Sequence, residues 1–114
     1  MKIYGIKNCD TVKKALIFLE ASSTEYTFID LKKEVPSAEL ITKWVTVLGI
    51  NVLINKKSAT YRGLEEDLKN SLSIDTAHNI ISMNTSIIKR PLIIHNNGDI
   101  TVGFTNDIQE KING

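Results

Sequence analysis

Cys9 is the only cysteine in the chain, and it stands in a polar turn, Asn8-Cys9-Asp10-Thr11, between two apolar patterns. Beyond the turn, Val12, Ala15, Leu16 and Leu19 recur at i, i+3, i+4 and i+7, the stripe of an amphipathic helix. Asp10 is the expected N-cap. The thiol therefore falls just outside a helix start, where unpaired N–H groups and the helix dipole favour negative charge. A thiolate held there is a nucleophile toward disulfides and oxidised sulfur. Holding a thiol mostly as thiolate at neutral pH takes roughly 2.7 kcal/mol beyond an ordinary thiol. A helix N-terminus supplies about 0.3–1 kcal/mol, and up to ~2 in a partly buried geometry. A cation must supply the rest, and Lys7 is the nearest one in sequence. His78 and His95 are too far along the chain for their spacing to tie them to Cys9, and one cysteine with two distant histidines does not make a zinc site. Both histidines are expected to be structural or exposed.

The elements that position Cys9 read as strand, turn and helix over Lys2–Ala21, KIYGIKNCDTVKKALIFLEA. Gly5 inside the strand implies close approach of another part of the backbone. Glu25–Ile29 alternates polar and apolar residues as a second strand, so the start of the chain is a right-handed βαβ unit with parallel strands. Ser37 caps an expected helix whose stripe is Leu40, Ile41, Trp44, Val45 and Leu48, with Gly49 as its stop. Val52–Ile54 packs briefly. Further helical pieces are expected near residues 63–70 and 75–84. Residues 36–84 thus form a helical insert. Leu92–His95 and Ile100–Phe104 flank Asn97-Gly98, a hairpin signal, and Thr105 can cap a last helix. A parallel βαβ half followed by an antiparallel ββα half is the arrangement of the thioredoxin-like α/β fold.

At 114 residues the chain is expected to be a single domain, 1–114, with enough length for its own core. Fourteen basic and thirteen acidic residues give a formal charge of +1, which argues against a strongly basic nucleic-acid-binding surface. No apolar run approaches the ~20 residues of a membrane span. A lone cysteine and the absence of a signal-peptide pattern point to a cytoplasmic protein. With no apolar surface stripe left over, a monomer is expected.

Two motifs give the chain a family resemblance: Tyr4-Gly5-Ile6-Lys7-Asn8-Cys9-Asp10-Thr11 with Lys13-Lys14-Ala15, and Ile88-Lys89-Arg90-Pro91-Leu92. Together, at this separation, they make it resemble the ArsC/Spx/YffB family, the arsenate-reductase-related branch of the thioredoxin-like fold, and within it the YffB-type subgroup. The resemblance covers residues 2–112. It implies a mixed four-stranded sheet in the order 2-1-3-4, a reactive Cys9, an Arg90-Pro91 pair facing it, and a cis peptide before Pro91. Arg90 then becomes the second candidate cation, an always-charged donor for a carboxylate or oxyanion. Lys7, Asn8, Arg90 and Pro91 are the implied substrate- or anion-binding residues. Lys56, Lys57 and Arg62 form a possible basic rim.

Two departures from the family narrow the chemistry. Its arsenate reductases hold the oxyanion with three arginines. Arg90 matches one, while the other two positions fall at Asn55 or a neighbouring lysine and at Phe104. Spx-type regulators carry a Cys-x-x-Cys switch, whose second position here is Val12. The expectation is a glutathione-dependent monothiol oxidoreductase. Its co-substrate is glutathione, its substrate a small thiol or disulfide, and it needs no metal and no direct contact with nucleic acid or membrane. The alternative is a non-enzymatic, Spx-like protein-binding module in which Cys9 senses redox state. Arsenate reduction ranks third.

Overall fold

The computed structural model describes residues 1–113. Its chain divides into two compact units: Met1–Leu31 together with the chain from Arg90, and Lys32–Lys89. The insert expected over 36–84 lies within the second unit.

The first unit holds the sheet. Strands β1 (Lys2–Gly5), β2 (Thr27–Asp30), β3 (Leu92–Ile94) and β4 (Ile100–Val102) lie in the order β2-β1-β3-β4, as the resemblance implies. β1 and β2 are parallel, joined by helix α1 (Asp10–Ala21); β3 runs antiparallel to both β1 and β4. The register aligns Phe28, Ile3, Ile93 and Thr101 across the sheet. Ile3 and Ile93 then meet Leu19 of α1 and Ile108 of the last helix, α7 (Asn106–Asn113), in one buried cluster. Met1, Leu16, Tyr26, Phe28, Phe104 and Ile112 pack around it. Burying each such aliphatic side chain contributes about 1.5–3 kcal/mol.

Gly5 shows why this chain needs a residue without a Cβ. A Cβ built there would lie 2.8 Å and 3.1 Å from the two Cγ atoms of Val12, on the first turn of α1. The helix thus rests directly on the end of β1. Its other end is closed by a double bond pattern, Ser23 N–H to Glu20 C=O (3.1 Å) and Thr24 N–H to Leu19 C=O (2.9 Å). Ser23 sits at φ 54° in that turn, where glycine is the usual residue.

In the second unit α2 (Ala38–Leu48) is capped as expected, with the Leu40 N–H donating to Ser37 Oγ at 3.2 Å and Gly49 ending it at φ 81°. Ile41, Trp44 and Val45 are buried, and α2 packs against α6 (Ala77–Met83). The sequence pattern and the structure differ between these helices. Residues 50–53 form a helical turn, α3 (Ile50–Leu53), which buries Leu53 and leaves Val52 exposed. The piece expected over 63–70 is the short helix α5 (Glu66–Asn70), and a further helical turn, α4 (Ala59–Arg62), precedes it where none was expected. Ser58 caps α4 through the Tyr61 N–H, and Gly63 ends it, so the punctuation falls on different residues from those the apolar spacing suggests.

The hairpin carries His95, which is 5 % exposed. Its Nε2 lies 2.8 Å from Oγ1 of Thr101, the β4 residue paired with Ile93. Burial, and then the charges of Lys111 and the chain's amino group, lower its pKa against the opposing pull of Asp99. The expected fourth strand, 100–104, stops at Val102, and Gly103 turns away at φ 85°. Thr105 caps α7 through the Ile108 N–H at 3.4 Å.

Three stability measurements follow from this packing. Ser23→Gly removes a left-handed strain and should raise the unfolding free energy by about 1 kcal/mol in urea titrations. Gly5→Ala overpacks the β1–α1 contact and should lower it by about 1–3 kcal/mol. The same change in a Val12→Ala background should cost clearly less, giving a non-zero coupling in the double-mutant cycle. For His95 the sign is set by its lowered folded pKa. As pH falls below ~6.5 the unfolded chain takes up this proton before the folded one does, so stability present above ~6.5 is lost progressively until the folded pKa is reached. His95→Gln, which can keep the Thr101 contact, should flatten that acid limb.

Candidate functional site

Cys9 enters the site through the turn that joins β1 to α1. Ile6 is buried, Lys7 and Asn8 are exposed in a turn, and Cys9 follows in an extended conformation with φ −125° and ψ 123°. Cys9, not Asp10, is the N-cap: its carbonyl accepts the first helical bond, from the Lys13 N–H at 2.9 Å. Asp10 is instead the first helical residue, exposed, where a carboxylate is favoured by the helix dipole. Apolar spacing alone could not distinguish these two positions. The shift moves the thiol one residue closer to the helix. The Cys9 side chain is half-buried and makes no capping hydrogen bond. It occupies the position from which a Ser or Asp oxygen would normally accept the N–H groups of the first turn.

Arg90 and Pro91 reach the same end of the sheet by a different route. β3 is antiparallel to β1 with Tyr4 opposite Leu92. The residues just before β3 therefore run alongside the chain that leaves β1 for the Cys9 turn. The Arg90–Pro91 peptide is cis. Pro91 is buried, and its carbonyl accepts the Gly103 N–H at 3.0 Å, tying the start of β3 to the exit of β4. Arg90 is half-buried, with Nε out of solvent. Just past β2 the Leu31 N–H donates to the Gly5 carbonyl at 2.9 Å, so the last residue of β1 is held from its other side too.

Lys56, Lys57 and Arg62 are gathered in one turn of the second unit. Asn55 Oδ1 accepts the Lys57 N–H at 3.0 Å, and Lys56 Nζ donates to Asn51 Oδ1 at 3.1 Å. Arg62 donates through Nε and Nη2 to the Lys57 carbonyl, at 3.1 Å and 2.6 Å. Arg62 thus closes the turn that displays the two exposed lysines. Its guanidinium is engaged by a neutral carbonyl, an assignment that sequence spacing could not make.

His95 does not join the thiol. His95 follows β3 at the end of the sheet away from Cys9, and His78 is half-buried on α6 in the second unit. Phe104, which falls at a family arginine position, stacks edge to face on Phe18 of α1, with ring centres 5.5 Å apart. It is part of the apolar packing under the helix. Among the described residues no group of three His, Cys, Asp or Glu side chains could hold a metal ion, and no helix is long and apolar enough to cross a membrane.

Comparison with known proteins agrees with this geometry. The family model described as "ArsC family" matches residues 4–112. An uncharacterized protein of Haemophilus influenzae is 42% identical over 102 residues, covering 90% of this chain and 89% of its own. The solved structure of a protein named YFFB superposes with a TM-score of 0.88 at 32% identity, covering 97% of this chain and 96% of that one. The global transcriptional regulator Spx of Staphylococcus aureus is 28% identical over 108 residues, 92% of this chain and 80% of its own. A sheet in the order 2-1-3-4, a cysteine at the start of the first helix, an Arg-cis-Pro entry to the third strand and these matches have one common reading: the chain belongs to the ArsC family of arsenate-reductase-related proteins, with a thioredoxin-like fold.

Proposed function

We propose that the protein is a glutathione-dependent monothiol oxidoreductase acting through Cys9. The observation that carries this reading is the position of the thiol at the N-cap of α1, on the end of the sheet at which Arg90-Pro91 enters β3. The helix start and an arginine are the two contributions that the energetics of a reactive thiolate require.

The chemistry follows from the cysteine count. Cys9 as thiolate attacks the glutathione sulfur of a mixed disulfide, forming a Cys9–glutathione disulfide and releasing the substrate as a thiolate, which takes a proton from solvent. A second glutathione, as thiolate, attacks the glutathione sulfur of that adduct. Oxidised glutathione leaves and the Cys9 thiolate returns. Each step breaks one S–S bond and forms one. An external thiol is required because the residue three beyond Cys9 is Val12, fully buried. Lys7, Asn8 and Pro91 are proposed to line the substrate, with Arg90 pairing a carboxylate of the tripeptide. The basic rim of Lys56, Lys57 and Arg62 belongs to the second unit and is not needed for this reading.

A second reading draws on the similarity to a protein named global transcriptional regulator. In it Cys9 is a sensor, glutathionylated but not turning over, and a protein partner is the true ligand. Arsenate reduction has less support, because one arginine is present where the family's reductases use three.

Alkylation kinetics and turnover separate these readings. At neutral pH, Cys9 should react with iodoacetamide faster than free cysteine does. Arg90→Ala should slow it roughly tenfold, the effect of about 1.4 kcal/mol less thiolate stabilisation. Glutathione-linked reduction of a mixed disulfide should vanish in Cys9→Ser. An ordinary alkylation rate that ignores Arg90 would remove the physical basis of the oxidoreductase. Fast alkylation without turnover would favour the sensor.

A further inference from the structure

The tip of the β3–β4 hairpin holds a chemically labile pair that the thiol chemistry does not use. Asn97 and Gly98 are both exposed there. An asparagine followed by glycine can lose its amide with no reactant but water. The Gly98 nitrogen gives up its proton and attacks Asn97 Cγ, the Cγ–Nδ2 bond breaks, and the side-chain nitrogen leaves as ammonia. Water then opens the resulting succinimide at one of its two carbonyls. The product is aspartate or, with the main chain rerouted through the side chain, isoaspartate. Glycine favours the ring because it sets no Cβ against it.

The hairpin engages both reacting groups. The Gly98 N–H donates to the His95 carbonyl at 2.9 Å, which closes the turn over Asn96 and Asn97. Behind it the His95 N–H donates to the Asp99 carbonyl at 2.8 Å. Asp99 grips the Asn97 carboxamide at both ends. Its main-chain N–H donates to Asn97 Oδ1 at 3.0 Å, the bond of an Asx turn, and its carboxylate accepts from Asn97 Nδ2 at 3.2 Å. Bonds from Lys111 and from Asn97 lower the Asp99 pKa, so the accepting group is the carboxylate. The attacking N–H is thus spent on one carbonyl, and the amide it must reach is tied to Asp99. Gly98 stands at φ 92°, and a Cβ built there meets nothing within 4 Å. The glycine serves the handedness of the turn rather than packing.

Either product opposes closure of this turn. Aspartate at 97 has no Nδ2–H donor and sets a second carboxylate against Asp99. Isoaspartate adds a methylene to the main chain inside the loop that the His95–Gly98 bond closes.

We propose that Asn97 is a spontaneous modification site that the hairpin keeps locked, deamidating only from states in which the bonds to His95 and Asp99 have opened. Because conversion opposes reclosure, each event is a one-way record of local opening at this end of the hairpin.

The test ages the full chain in mildly alkaline buffer, folded and in guanidinium chloride, and follows conversion of NH2 to OH at each asparagine by peptide mass spectrometry. Peptide mapping separates Asn97 from Asn113, which also precedes a glycine. Asn97 should convert roughly tenfold or more slowly in the folded chain than in the denaturant, the factor that about 1.4 kcal/mol of retained hydrogen bonding gives. Asp99→Ala removes the carboxylate grip and should narrow that ratio by about threefold or more. Asp99→Asn keeps an acceptor for Nδ2 and should stay within about twofold of the wild-type ratio. Equal rates in the folded and denatured chain would overturn the proposal, because the hairpin would then lock nothing. No conversion of Asn97 in the denaturant would overturn it too. So would a ratio left unchanged in a folded Asp99→Ala protein, or lowered as much by Asp99→Asn, since the grip on the carboxamide would then not be the lock.

Discussion

The contact between Gly5 and Val12 is the constraint on which the rest of the first unit depends. It lets the first turn of α1 lie directly against the end of β1. Everything about the thiol follows from that approach. The turn between strand and helix can be only four residues long, so Cys9 is brought back over the end of the sheet at once. A longer separation between helix and strand would need a longer, more mobile connection, and the thiol would lose its fixed relation to the entry of β3. The approach also sets the depth of Leu19 and Leu16, which complete the cluster with Ile3, Ile93 and Ile108.

Arg90 reaches this end of the sheet by a different logic. It is far from Cys9 in sequence and comes to the same end only because β3 pairs antiparallel with β1, Tyr4 facing Leu92. Register is fixed by alternation. Ile3 and Ile93 must both face α1 and α7, and a slip of one residue would turn that row to the other side. Apolar packing on one face of the sheet thus fixes where the arginine enters. The Pro91 carbonyl, bonded to Gly103, fastens the same point from the β4 side.

These dependencies explain what could be read from the chain beforehand. Local rules were enough for the βαβ start, for Gly5, for the caps Ser37, Gly49 and Thr105, and for the hairpin at Asn97-Gly98. Each rests on residues a few positions apart. Residue type points one position too far, to Asp10, the better capping side chain, and only the bond from the Lys13 N–H to the Cys9 carbonyl decides the matter. The pieces between 50 and 70 escape the apolar pattern because they are short turns held by Ser58, Gly63 and neighbouring carbonyls, too short for any period to show. Arg90 carried no local signal at all. It became a candidate through the family motif, since its meaning lies in a long-range strand pairing. The burial of His95 did have a signal, in that it falls two residues after Ile93 and so shares the face of the core row. Its neighbours in the turn, Asn96-Asn97-Gly98, concealed it.

Val12 joins the packing argument to the chemical one. In a Cys-x-x-Cys switch its position would hold the resolving thiol. Here the side chain is fully buried and its two methyl groups fill the space that Gly5 opens. A second thiol at this position would have to remain accessible to the first, and accessibility is what this packing removes. The branched residue that seats the helix on the strand is therefore also the reason that a disulfide formed at Cys9 cannot be resolved from within the turn. Any oxidised adduct persists until another molecule attacks it. The fold thereby turns the lifetime of the adduct into a property of the surroundings, of how much thiol is present and how readily it reaches the end of the sheet. A catalyst and a sensor built on this framework would differ in that rate of attack, while sharing the same helix, strand and arginine.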